Sequence, residues 1–203
     1  NEDVEQYCRR ILQANAQAGR LKFTTDARQA IQHGEVVLIA VGTPPREDGS
    51  PDLTALNAVA DTIADQIDEP KIVVIKSTVP VGTGDALEAR INRRARYSVR
   101  VVNNPEFLKE GTAVADFQKP DRVVIGAEDP EAAECIRELH QPFVRNSKPI
   151  FVMHRAAAEM TKYAANACLA ARISFINQVA NICDALNIDV NEVRVGIGSD
   201  ERI

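Results

Sequence analysis

Cysteine and histidine are scarce in this sequence, and the few present do not cluster. The 4 cysteines (Cys8, Cys135, Cys168, Cys183) show no Cys-x-x-Cys spacing, and the 3 histidines (His33, His140, His154) form no HExxH or related motif. Reduced thiols and no metal centre are therefore expected. Positive charge is also in deficit, with 24 Lys and Arg against 29 Asp and Glu, a formal net charge of −5. That balance argues against a broad nucleic-acid or membrane surface and leaves room only for a local basic pocket. No apolar run approaches the length of a membrane span and no signal-peptide pattern opens the chain, so no membrane association and a cytoplasmic location are expected. Internal repeats and low-complexity segments are missing too.

What is present is ordinary globular material. With 203 residues, 45% of them hydrophobic and 26% charged, the chain can bury one full domain and part of another. Apolar runs at Arg20–Thr24, Val36–Val41, Ile72–Ile75, Tyr97–Val102, Arg122–Gly126 and Ile150–Met153 read as strands, with helical patterns between them. The runs are near-continuous rather than alternating, which predicts a doubly wound α/β fold, a parallel sheet covered on both faces. Asp52 is placed to cap the helix that buries Leu53, Leu56, Val59 and Ile63, just after Gly42-Thr43-Pro44-Pro45 ends a strand. From about Ala156 to Leu186 neither Gly nor Pro interrupts an apolar period of three to four residues. One long helix is predicted there, long enough to bridge two domains or two subunits.

Polar residues collect at strand ends, where open α/β sheets bind ligands. The richest stretch is Asn103-Asn104-Pro105-Glu106-Phe107-Leu108-Lys109-Glu110-Gly111. If the chain turns helically after Pro105, Glu106 and Glu110 share a face beside Lys109. A solvated helix start is the plainer alternative, but flanking Val101, Val102, Phe107 and Leu108 should draw the segment inward, where a carboxylate needs a purpose. Lys76-Ser77-Thr78-Val79-Pro80 offers hydroxyls for a cofactor or a water, or is simply a turn. On the long helix Lys162 and Asn166 lie one turn apart among alanines; they are donors for an oxyanion or, equally simply, surface residues. Gly82-Thr83-Gly84-Asp85-Ala86-Leu87 imitates a dinucleotide fingerprint but puts Leu87 where a small residue must pack, so it reads as a strand-to-helix turn. Arg202, after the Gly196-Ile197-Gly198 turn, has the chemistry to meet a diphosphate.

In combination these segments resemble the UDP-glucose 6-dehydrogenase family, within the nucleotide-sugar dehydrogenases that include the GDP-mannose enzymes. The resemblance rests on Val41–Pro45, Lys76–Thr83, Asn104–Gly111, Pro120–Gly126, Ala158–Asn166 and Asp200–Ile203, in the family's order. It implies a partial Rossmann-like sheet, with residues 1–153 the later part of an NAD-binding domain. Residues 154–203 would be the long central helix and the start of a dimerisation and substrate region. It further implies oxidation of the C6 alcohol of a UDP-sugar to a carboxylate with two NAD, through an aldehyde and an enzyme-bound thioester. Thr43, Thr78 and Glu110 would contact NAD, and Thr78 with Glu106 would place the hydrolytic water. Phe107, Leu108, Lys109 and Glu110 would shape the sugar site, Lys162 and Asn166 would hold the C6 oxyanion, and Arg202 would reach the phosphates across a homodimer built on the long helix.

Two parts of the family's pattern are not among these residues: the glycine fingerprint, which in the family precedes the position of Asn1, and the cysteine nucleophile, which follows that of Ile203. The chain is accordingly expected to be a central portion, inactive alone. The Asp121-Arg122 pair and the Lys109-Glu110-Gly111 run favour UDP-glucose over GDP-mannose or UDP-N-acetylmannosamine. A non-catalytic module that dimerises or binds a nucleotide sugar is the alternative from another class.

Overall fold

The strand Lys71–Ile75 (β2) is buried along its whole length and lies in a sheet of five. In the computed structural model, which describes residues 4–109, 111–144 and 149–200, the strands follow chain order: Val36–Ile39 (β1), β2, Val99–Asn103 (β3), Val123–Ala127 (β4) and Ile150–Met153 (β5). Two compact units are present, Asn1–Lys162 and Tyr163–Ile203, and the sheet belongs to the first.

Helix Val4–Gln17 (α1) precedes the core elements. Side-chain alternation along β2 explains both faces of the sheet. Val73 and Ile75 join Val99 and Val101 of β3 in one core with Ile31, Leu56, Ile63, Leu87 and Ile91. Those five come from helices Ala27–His33 (α2), Thr54–Gln66 (α3) and Thr83–Arg94 (α4). Ile72 and Val74 point the other way, packing with Val102, Val123 and Ile125 against Ala132, Ala133 and Ile136 of Pro130–His140 (α6). Helices thus cover both faces, as the continuous apolar runs imply. Local signals set helix starts: Asp26 accepts from the Arg28 and Gln29 amides at α2, and Asp129, with Pro130 following, accepts from the Ala132 amide at α6. Asp52 acts just ahead of α3, its Oδ1 accepting from the Thr54 amide and hydroxyl.

Two expectations are corrected. Residues 20–24 form no strand, and Phe23 stands 75% exposed. The run has β chemistry, but a strand needs a ladder partner and no described strand pairs with it. The sheet is also not wholly parallel, since β3 and β4 run antiparallel while β1–β2, β2–β3 and β4–β5 are parallel. Between β3 and β4 the only helix among the described residues is Ala113–Gln118 (α5), 6 residues. At about 1.5 Å per residue it is too short to return along a five-residue strand, so the chain reverses instead of crossing over.

Helix α7 (Arg155–Leu186) has 32 residues and begins where the sequence places it. Its first turns dock on the sheet through a buried stripe of Arg155, Ala158, Glu159 and Lys162. Gly126 of β4 makes the approach possible, because a Cβ there would lie 2.5 Å from that of Ala158 and 2.9 Å from the Arg155 Cα. Arg155 is held by Glu88 and Asp85, each at 2.6 Å. In the second unit α7 ends at Asn187 (φ 59°), with the Ile188 amide donating to the Cys183 carbonyl, and Val190–Gly198 (α8) follows. Among the described residues no helix is long and apolar enough to cross a membrane.

Candidate functional site

The carboxyl ends of β1, β2 and β3 meet the first turns of α7, and side chains stitch them together. The Ser77 hydroxyl donates to the Val41 carbonyl at 2.6 Å, and the Thr43 hydroxyl donates to the Thr78 carbonyl at 2.8 Å. The Asn104 amide continues the ladder to the Ile75 carbonyl at 3.0 Å. A small cavity opens here, lined by Ser77, Thr78, Asn103, Pro105, Glu159 and Lys162. The Thr78 hydroxyl has no partner among the described residues.

At the edge of this cavity Lys162, only 5% exposed, donates to Glu106 Oε1 at 3.2 Å. The other carboxylate oxygen, Oε2, accepts from the Leu108 amide at 2.6 Å. The Lys162 ammonium also lies 5.2 Å from the centre of the Phe107 ring, and the Arg122 guanidinium covers that ring at 4.1 Å. Thr78, Glu106, Phe107 and Lys162, all expected from the sequence, are thus brought together. The alternative of a surface lysine at 162 is excluded by its burial.

Other expectations fare differently. No helix follows directly on Pro105 through Lys109, and the expected shared face of Glu106 with Glu110 rests on a residue outside the described ones. The Glu106 carboxylate instead bonds to the backbone two residues on, a local bond that competes with helix, and Asp116 takes the Lys109 amide at 3.0 Å. Lys109 itself is turned to solvent, 3.5 Å from Asp116, and Leu108 is 41% exposed. Asn166 is exposed and falls in the second unit, one helical turn beyond Lys162. Glu110 and Arg202 lie outside the described residues.

Two features escape sequence reasoning. Glu159, 3% exposed, accepts from the Gly82 amide at 2.6 Å, the Gly84 amide at 2.7 Å and Asn103 Nδ2 at 3.1 Å. A carboxylate of the protein therefore occupies the start of α4, where a phosphate would otherwise be favoured. This closeness explains Gly84, whose Cβ would lie 2.3 Å from Asn103 Oδ1. The only hint in the sequence is the position of Glu159, four residues after Arg155 and three before Lys162, on the stripe that docks.

The second feature is Lys76, which donates to Asn104 Oδ1 at 3.0 Å. Asn104 Nδ2 donates to the Val124 carbonyl at 2.8 Å, which fixes Oδ1 as an acceptor. His140 Nε2, 2.8 Å from the same oxygen, is therefore the protonated ring nitrogen. Burial pushes the Lys76 ammonium down to about 8; Glu106 opposes that shift and Lys162 adds to it. His140 is likewise lowered, by burial first and then by the Lys76 charge.

A doubly wound sheet with polar groups gathered where its parallel strands end is the architecture of Rossmann-type dehydrogenases. Comparison with known proteins narrows this. The family model described as "UDP-glucose/GDP-mannose dehydrogenase family, NAD binding domain" matches residues 3–144, and the same family's "central domain" matches residues 156–203. The chain belongs to this family. It is 49% identical over 198 residues to the UDP-glucose 6-dehydrogenase of Pseudomonas aeruginosa, covering 95% of this chain and 44% of that protein. With the UDP-glucose 6-dehydrogenase TuaD of Bacillus subtilis the identity is 46%, over 95% of this chain and 42% of that one. A solved UDP-glucose dehydrogenase from Pyrobaculum islandicum superposes with a TM-score of 0.88 at 39% identity, covering 94% of this chain and 45% of its own. A GDP-mannose dehydrogenase from Pseudomonas aeruginosa superposes with a TM-score of 0.89 at 33% identity, covering 96% of this chain and 46% of its own. The chain spans less than half the length of the curated relatives it matches.

Proposed function

We propose that the full-length protein is an NAD-dependent UDP-glucose 6-dehydrogenase acting in the cytoplasm. In this reading residues 1–153 are the later part of its NAD-binding domain and 154–203 its central helix with the start of the dimerisation region. The observation that carries the reading is the buried Lys162 ammonium set on Glu106 beside an uncommitted Thr78 hydroxyl. Relatives at 46% and 49% identity that bear this name support the choice of sugar.

The residues present fit one end of the cofactor. Half-buried threonines follow β1 and β2, and Glu159 closes the start of α4 to a phosphate. Thr43, Thr78 and Glu110 would hold NAD, which when bound accepts the hydride from C6 in each oxidation. The Lys162 ammonium has N–H bonds beyond the one it gives Glu106, and with the Asn166 amide it holds negative charge on the C6 oxygen. Glu106, steadied by Leu108 and Lys162, takes a proton from the water that attacks the thioester, while Thr78 orients that water. The thiol of the thioester comes from another part of the longer protein. Phe107, Leu108, Lys109 and Glu110 shape the sugar pocket, and Arg202 meets the diphosphate.

A homodimer through α7 belongs to the same proposal. Leu169, Ile173, Phe175 and Ile182 are 58–62% exposed along that helix, apolar surface of the kind a second copy of the chain would cover. The test is NADH formation by the full-length protein with UDP-glucose, GDP-mannose and UDP-N-acetylmannosamine in parallel. Turnover with UDP-glucose is expected. Turnover with either other sugar nucleotide and none with UDP-glucose overturns the assignment, and no turnover with any favours a binding module.

A further inference from the structure

One ionisable group beside the site has no task in this mechanism. Lys76 follows β2, and its ammonium is largely removed from water, yet among the described residues its one hydrogen-bond partner is the neutral amide of Asn104. No carboxylate among them comes within ion-pair distance. A lysine so placed destabilises the fold, and an apolar side chain of similar size would serve packing better. A charge so placed serves a role other than stability more readily than it serves packing.

Its position says what that is. Asn104 is 3% exposed and ties three elements: Lys76 after β2, the Val124 carbonyl of β4 and His140 at the end of α6. Pro105, also buried, follows it with a fixed φ, and Glu106 comes next. The same ammonium interacts electrostatically with both Glu106 and Lys162. We propose that Lys76 is a positioning residue for Glu106: through the Asn104 amide it fixes the end of β3 so that the Glu106 carboxylate meets Lys162. Arg122 on Phe107, and Glu159 on α4 and the Asn103 side chain, hold neighbouring parts of the site, while Lys76 holds Asn104, the residue directly ahead of Pro105 and Glu106.

The inference rests on the function proposed above, and its test separates the two. Lys76→Met and Lys76→Arg are made in the full-length protein, and melting temperature, kcat and KM for UDP-glucose are measured with NAD. Lys76→Met is expected to melt higher than wild type while kcat falls by about 10- to 100-fold, with KM changed by no more than about threefold. Lys76→Arg, which keeps the charge, restores part of the loss. Unchanged kcat in Lys76→Met overturns the proposal, as does a melting temperature that falls together with kcat, since that marks a merely structural lysine. If wild-type protein does not turn over UDP-glucose, the functional reading fails by itself. Crystal structures of wild type and Lys76→Met then decide on Lys76: a separated Glu106–Lys162 pair supports the proposal, and an unchanged pair overturns it.

Discussion

The two ends of β2 each carry a lysine, and they are provided for in opposite ways. Lys71, at the amino end, is 3% exposed, and its ammonium donates to the Gly34 carbonyl at 2.9 Å and Glu69 at 2.8 Å, with Asp68 at 3.7 Å. Lys76, past the carboxyl end, has one neutral amide and a second lysine for a neighbour. The strand between them is the same apolar core, so the difference lies in what each end is for. The amino end satisfies its charge and holds the fold. The carboxyl end leaves charge under-compensated beside Glu106 and Lys162, as sites of chemistry do.

The largest expected effect lies at the carboxyl end. In the full-length protein Lys162→Ala should lower kcat by about 10²–10³-fold, the range for losing one oxyanion donor. Steady-state NADH formation measures it, and a loss confined to KM would move Lys162 from chemistry to binding. Next is the carboxylate that anchors α7. Glu159→Ala leaves two backbone amides and the Asn103 side chain unpaired, and should cost about 3 kcal/mol of stability in denaturant unfolding. A cost near zero would mean that water replaces the carboxylate freely.

The two lysines themselves supply the smaller effects. The folded-state value for Lys76 is depressed from 10.5 to about 8, so below pH 8 the protein carries the full penalty of the buried charge. Between pH 8 and 10.5 the folded state releases this proton before the unfolded chain does, and the penalty is relieved as pH rises. Lys76→Met should therefore stabilise the protein by about 2–3 kcal/mol at pH 7, an advantage that fades toward pH 10.5. Unfolding curves at several pH values read this directly, and an advantage independent of pH would place its origin in packing. Lys71→Met should act in the other direction, destabilising by about 1–2 kcal/mol because the Gly34 carbonyl loses its donor, with turnover unaffected. A gain in stability at both ends would erase the contrast.

Much of this was legible in the residues. β2 and β3 are β-branched runs buried on both faces, so their hydrophobicity is continuous and their ends are easily located. The length of α7 is equally plain, since no Gly or Pro breaks it. Arg20–Thr24 has the same chemistry and no ladder, and composition alone cannot separate the two cases. Thr78 and Glu106 follow strand ends and Lys162 lies in the opening turns of α7, but what grouped the three was the resemblance to the family's motifs. Glu159 and Lys76 were not legible, because their partners lie 77 and 28 residues away in sequence, at Gly82 and Asn104. The helical turn expected after Pro105 does not form through Lys109 for a local reason, the short bond from the Leu108 amide to Glu106 that turns the chain away from helix.

The central claim, a two-step oxidation completed by water at Glu106, is tested most directly by the stoichiometry of the full-length protein's reaction. With limiting UDP-glucose and excess NAD, the alcohol-to-carboxylate sequence predicts two NADH for every UDP-glucose consumed. One NADH per sugar nucleotide, with an aldehyde released, would contradict the roles of Glu106 and its water in thioester hydrolysis.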